Sequence, residues 1–173
     1  FINELQLMAH YDVLTKLPNH ALLTDRFHQS VALSNRTNSM LAICFLDLDK
    51  FKPVNDTYGH DVGDKLLIEV AQRIKATIRE EDTVSRKGGD EFVLLVSNLE
   101  SCQQCKQLME RICKRVAEPF LINGHTITIS VSIGVTLYPL DDVDLDTLLR
   151  HADKAMYQAK MAGRNNFRLF NDC

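Results

Sequence analysis

Two strand-like runs, over 82–87 and 92–96, flank Gly88-Gly89-Asp90-Glu91, and this break constrains the fold more than any other part of the chain. Adjacent glycines take positive φ without a Cβ clash, so they read as a hairpin turn between antiparallel neighbours. Bare backbone at the turn also lets a phosphate or a metal come close. Asp90 and Glu91 share that spot. Like charges in a small space repel, so two acids there are costly as a fold device and make sense around a cation. A solvated hairpin with exposed acids is the plainer alternative.

The 173 residues are enough for one domain with a sizeable core. A formal net charge of −3 argues against extended contact with nucleic acid, whereas a few local cations suffice for a small phosphorylated ligand. No apolar run is long enough to span a bilayer, and no signal-peptide pattern is present. These features predict a cytoplasmic domain without direct membrane contact, whatever anchors its parent. Residues 1–10 read as the tail of a helix. The expected layout is the end of a linker or signalling helix over 1–12 and the domain proper over 13–173, cut from a longer protein.

Cysteines stand at 44, 102, 105, 113 and 173. An odd count suits a reduced protein. Cys102-Gln-Gln-Cys105 lacks the second pair or nearby histidines that a zinc or redox site wants. Cys105, Leu108, Met109, Ile112, Cys113 and Val116 follow helical spacing, so the cysteines there read as small apolar residues on a buried face.

Leu17-Pro18-Asn19 breaks the first helix, and a second is expected over 20–35. The apolar run over 41–46 ends in Asp47-Leu48-Asp49 and predicts a central strand covered on both sides. Residues 53–59 read as loop. Val62, Leu66, Val70, Ile74 and Ile78 mark an amphipathic helix. Ser101 and Gln104 form a capping box for the next helix, which Pro119 ends. Asn123-Gly124 signals another hairpin. Ile127, Ile129, Val131, Ile133 and Val135 alternate with Thr and Ser as one half-buried strand. Leu145 to Ala159 makes the last helix, with Gly163 as its cap, and 167–170 a short final strand. Interleaved strands and helices with two hairpins predict an α/β fold, a mixed sheet flanked by helices.

Asp47 and Asp49 lie at i and i+2 and so share one face of their strand. If the hairpin strand neighbours it, three or four carboxylates converge at one end of the sheet. Magnesium binds through one or two carboxylates and leaves its other positions to water and phosphate. Asp49 reads as a cap or loop hydrogen-bonding residue; an unpaired Asp47 on an apolar strand is expensive.

Five separated blocks now point one way. They include Asp12-Val-Leu-Thr-Lys-Leu-Pro-Asn19, Asp47-Leu-Asp-Lys-Phe-Lys-Pro-Val-Asn-Asp56, Gly59-His-Asp-Val-Gly-Asp64, Arg86-Lys-Gly-Gly-Asp-Glu-Phe92 and Ala162-Gly163-Arg164-Asn165. Over almost its whole length the chain resembles the GGDEF family of diguanylate cyclases. The resemblance implies a palm-like mixed sheet of about five strands, with the Gly-Gly hairpin at the active site. It implies magnesium- or manganese-dependent condensation of two GTP into cyclic di-GMP plus two pyrophosphates, in a homodimer.

It also implies residue roles. Asp47, the carbonyl of Leu48, Asp90 and Glu91 hold metal, and Asp90 and Glu91 are catalytic, with Asp90 taking the proton of the attacking 3′-hydroxyl. Asn55 and Asp64 read guanine; a carboxylate only accepts, and guanine offers N1–H and N2–H together. Phe51, Lys52, Gly88, Gly89, Lys160 and Arg164 meet the nucleotide, the last two as an i, i+4 pair on one helix face. Arg79 and Asp82 have the RxxD spacing of the family's inhibitory site for cyclic di-GMP, whose second arginine cannot be placed from sequence. His20 and Lys87 depart from the family pattern without touching this chemistry. His60 reads as a helix-start residue. A sensory domain upstream and room for a phosphodiesterase domain downstream complete the expected parent. A non-catalytic GTP- or cyclic di-GMP-binding module is the alternative, but such modules usually lose an acid or a glycine that this chain keeps. A palm-type polymerase would want a basic groove and stacking aromatics, and tryptophan is absent.

Overall fold

A computed structural model describes residues 2–173; Phe1 lies outside them. In chain order the elements are α1 (Ile2–His10), α2 (His20–Thr37), β1 (Met40–Asp49), α3 (Phe51–Tyr58), α4 (His60–Thr77), β2 (Thr83–Gly88) and β3 (Glu91–Leu99). The second half contains α5 (Cys102–Val116), β4 (Phe120–Ile122), β5 (His125–Ile127), β6 (Ser130–Tyr138), α6 (Leu145–Met161) and β7 (Phe167–Leu169). Five strands form one sheet in the order β2-β3-β1-β6-β7, and β4 and β5 form a separate ribbon. All neighbours in the large sheet are antiparallel except β6 and β7. The mixed sheet with flanking helices matches the expectation.

β1 lies at the centre because both its faces are apolar. Ala42, Cys44, Leu46 and Leu48 join the core under α4 and α5, while Leu41, Ile43 and Phe45 join the core under α2 and α6. Side chains alternate along a strand, so this parity sends Asp47 and Asp49 to the α6 face. On that face α6 packs directly on the backbone of β6. A Cβ on Gly134 would stand 1.8 Å from the carbonyl oxygen of Ala152 and 2.2 Å from the amide of Met156.

Both hairpins form. Gly89 and Asp90 make the turn between β2 and β3, with Gly88 opposite Glu91. Asn123 and Gly124 take φ of 50° and 80° between β4 and β5, the left-handed pair that a two-residue hairpin needs. Ser101 caps α5 by accepting from the Gln104 amide at 3.1 Å.

Several details differ from the sequence reading. Residues 53–59 are largely helical, within α3. Pro53 sits in the first turn, where a missing N–H breaks no helical bond. The first helix ends at His10, before Leu17-Pro18-Asn19; Asn19 instead caps α2 by accepting from the Leu22 amide. The alternating run over 127–135 spans two strands. β5 stops at Ile127, and β6 is buried on both faces, with Ser132 and Thr136 fully enclosed. Their hydroxyls are satisfied by Asp49 and Asp141, each at 2.6 Å, which removes the cost of burying them.

The fully reduced state is also corrected. Cys102 is bonded to Cys173, with Cα atoms 6.3 Å apart, whereas Cys44, Cys105 and Cys113 are free and buried. Burial pushes the thiols of Cys105 and Cys113 up to about 12, as suits inert core residues. The pairing was invisible in the sequence because only the return of β7 alongside β6 brings the last residues near the start of α5. No described helix is long and apolar enough to cross a membrane.

Candidate functional site

The acids gather where β1 and β3 run side by side. Asp47 is the register partner of Glu91, and the Leu48 amide donates to the carbonyl of Asp90 at 3.1 Å. The Asp47 strand end and the glycine turn therefore lie at the same end of the sheet. Burial first, then the charges of Asp90, Glu91 and Asp49, push the Asp47 carboxyl up to about 6, against the pull of Lys160. Glu91 is raised as well, by burial and then by Asp90 and Asp153, with Lys87 and Lys160 opposing. Crowded carboxylates of this kind are short of positive charge.

Lys160 supplies part of it. Its Nζ lies 3.7 Å from Asp47 and 3.1 Å from Asp49. Asp49 is the organiser of the group. Its carboxylate accepts from Ser130 and Ser132 at 2.6 Å, from the Asn165 amide at 3.0 Å and from Lys160. Burial would raise its carboxyl, but these donors hold it below the usual carboxylate range. Asp49 thus ties β1, β6, α6 and the loop after α6 together, a larger role than a cap.

Among the described residues no three His, Cys, Asp or Glu side chains close into a ready metal cage. Magnesium and manganese fit the oxygen donors that are present, because such ions use one or two carboxylates and a carbonyl and fill the rest with water and phosphate. Asp47, Glu91, Asp90 and the Leu48 carbonyl are the oxygen donors at this end of the sheet from which such a set would be drawn.

Asn55 on α3 packs against Gly63 of α4, the residue before Asp64. A Cβ on Gly63 would stand 1.7 Å from Asn55 Oδ1, so the missing side chain is what admits Asn55. Asp64 is exposed next to it. At the start of α3, Lys50 takes a left-handed φ of 59° and offers no side-chain cap, which leaves the first amides of the helix for an anion. Lys52 is exposed there, whereas the Phe51 side chain is buried, which leaves only its backbone to face a ligand. Gly88 and Gly89 have open space where a Cβ would be.

Lys160 and Arg164 do not share a helix face. α6 ends at Met161, and Gly163, at φ 116°, turns the chain away. The Arg164 amide donates to the Ala159 carbonyl and the Gly163 amide to that of Lys160, the paired bonds of a Schellman stop. Arg164 instead lines a cavity of about 390 Å³ with Asp49, Lys50 and Ser130.

Arg79 and Asp82 lie together, at the far end of β2 from the glycine turn. Asp82 is buried, and its carboxylate accepts from the amides of Ser97 at 3.0 Å and Arg79 at 3.1 Å. Arg79 is exposed, but its guanidinium is already held by Glu81 at 3.4 Å and Asp82 at 3.5 Å and donates to the Ser97 carbonyl. Arg111 of α5 lines the same cavity of about 140 Å³. Only the packing of α5 beside β3 brings Arg111 there, so spacing could not have found it. A further joint was also missed: Asp12 pairs with Arg86 at 3.3 Å and fastens the loop after α1 to β2.

The model of the diguanylate cyclase GGDEF domain matches residues 9–166. The bifunctional diguanylate cyclase/cyclic di-GMP phosphodiesterase MucR of Pseudomonas aeruginosa is 48% identical over 167 residues, which cover 96% of this chain and 24% of that protein. The cyclic di-GMP phosphodiesterase NbdA and the diguanylate cyclase TpbB of the same organism are each 40% identical, over 96% and 93% of this chain and 21% and 37% of theirs. The chain therefore spans well under half of these curated relatives. A structure of TpbB comprising only its GGDEF domain superposes with a TM-score of 0.89 at 38% identity, over 94% of this chain and 95% of that one. Geometry and likeness agree, and the chain belongs to the GGDEF domain family of diguanylate cyclases.

Proposed function

We propose that this domain condenses two GTP molecules into cyclic di-GMP with release of two pyrophosphates, on the cytoplasmic side, as a homodimer. The observation that carries the reading is the pairing of Asp47 with Glu91 beside the Asp90 turn. Asp47, Glu91, Asp90 and the Leu48 carbonyl would hold magnesium or manganese. When bound, such an ion neutralises charge on the triphosphate and acidifies a nearby hydroxyl. Asn55 and Asp64 bind guanine, and the acceptor-only Asp64 carboxylate rejects adenine, which lacks the paired donors. The first amides of α3, Lys52 and Arg164 hold phosphate, joined by Lys160 once nucleotide draws it from Asp47 and Asp49.

In each half-reaction a 3′-oxygen bonds to the α-phosphorus of the facing GTP. The bond from that phosphorus to the pyrophosphate oxygen breaks, and Asp90 accepts the hydroxyl proton. One domain holds one nucleotide, so two domains must face one another. Cyclic di-GMP then inhibits by binding Arg79 with Arg111 as the second arginine, since the planar guanidinium suits phosphate and guanine edges alike.

A second reading is a binding module without chemistry, and it draws on the likeness to NbdA, which is named a phosphodiesterase. The intact Gly88-Gly89-Asp90-Glu91-Phe92 stretch favours the enzyme. Incubation with GTP and magnesium at high domain concentration, followed by chromatography, separates the two. Cyclic di-GMP is the expected product; retained GTP without product supports the module.

A further inference from the structure

Arg164 and Asn165 both take left-handed backbone, at φ 64° and 51°. Two consecutive side chains in that region persist only where the surroundings hold them. Upstream, the Schellman stop and the Asp49 bond to the Asn165 amide do so. Downstream, the Ile133 amide donates to the Asn166 carbonyl, and β7 begins at once. β7 is a three-residue parallel strand at the sheet edge, at the short end of the usual range.

Residues 170 and 171, just past β7, fasten it. The Phe170 amide donates to the Val135 carbonyl at 2.7 Å, and the Leu137 amide donates to Asn171 Oδ1 at 2.7 Å. The Phe170 ring stacks on His151 of α6, with centroids 4.1 Å apart and planes 6° from parallel. His151 Nδ1 lies 2.7 Å from Asp141, which also accepts from Thr136 of β6. Phe170 is 40% exposed, so the core alone does not fix its position. The same helix carries Lys160.

We propose that His151, Phe170 and Asn171 form a clasp that positions Arg164, and the register of α6 with it, for the triphosphate; this rests on the GTP reading above. None of the three is among the residues proposed to touch substrate. They act by keeping β7 seated, which keeps the left-handed pair at 164–165 wound. Releasing the clasp lets that pair relax and carries Arg164 away from the cavity it lines with Asp49 and Lys50.

The test uses His151→Ala, Phe170→Ala and Asn171→Ala under reducing conditions, so that the Cys102–Cys173 bond does not hold the tail instead. Amide exchange over residues 163–166 is expected to accelerate about tenfold, as for a locally opened segment. The KM for GTP, or its directly measured Kd, is expected to rise about tenfold with kcat within about twofold, the pattern of lost ground-state binding. Phe170→Tyr keeps the stack and is expected to behave as wild type. Val70→Ala, in the core under the opposite face, lowers thermal stability as a control and is expected to move neither readout. Unchanged exchange in His151→Ala and Asn171→Ala overturns the clasp, whatever the domain does with GTP. Faster exchange with unaltered GTP affinity overturns the positioning role. A wild-type domain that binds no GTP defeats the functional reading instead, and the exchange data then judge the clasp alone.

Discussion

Asp47 and Glu91 face one another across the β1–β3 ladder, two carboxylates as register partners on one face of the sheet. Like charges directly opposite destabilise a sheet, and burial deepens the cost. Asp47→Asn removes that repulsion, while Lys160 keeps its closer partner Asp49. The melting temperature without metal is expected to stay level or rise by a few degrees. Product formation is expected to fall at least about a hundredfold. A calorimetric scan beside a turnover assay checks both.

Gly63→Ala tests the guanine end. A new Cβ would displace Asn55, whose Oδ1 would lie only 1.7 Å from it. Alanine is also the better helix former by about 1 kcal/mol. Stability is therefore expected to hold, while the KM for GTP rises at least about tenfold. Urea unfolding and steady-state kinetics on the same sample separate the effects.

Gly134→Ala should fail as a fold. Its Cβ would meet backbone atoms of Ala152 and Met156, which have nowhere to move. A loss of about 3 kcal/mol or more is expected, seen as a lowered denaturation midpoint or insoluble protein.

The Asp12–Arg86 joint gives a pH signature. Burial raises the Asp12 carboxyl, but the Thr15 amide and hydroxyl and the Arg86 charge outweigh it and leave the group below its ordinary value of 3.8. A lowered folded value means stability that is present above 3.8 and lost as pH falls through the folded value. Asp12→Asn is expected to cost about 1–3 kcal/mol at neutral pH. Its deficit relative to wild type should shrink in acid below that point, as measured by urea midpoints across the pH series.

Arg111→Ala is expected to raise the cyclic di-GMP concentration for half inhibition about tenfold, with the initial rate on GTP unchanged, as for loss of a charged contact. Inhibition curves at fixed GTP check it.

Much of this was legible in the sequence. The apolar run into Asp47 marked the central strand, and Gly88-Gly89 and Asn123-Gly124 marked the hairpins, because local backbone chemistry dictates both. The blocks around Asp47, Asp64 and Asp90 carried the family resemblance, which the family model over residues 9–166 bears out. The hidden features depend on contacts distant in sequence. Arg111 comes to line one cavity with Arg79 only through the packing of α5, and the buried Ser132 hydroxyl is satisfied only by Asp49. Cys173 meets Cys102 only after β7 returns. Arg164 looked like the helical partner of Lys160 because periodicity does not register the Gly163 stop. Pro53 read as a loop because a first-turn proline and a breaking proline look alike until the helix start is known.

Turnover of Asp90→Ala beside wild type, at equal high concentration with GTP and magnesium, tests the central claim most directly. Wild type is expected to accumulate cyclic di-GMP and pyrophosphate, and the variant to make none while keeping its fold. Equal rates for the two proteins would contradict the account.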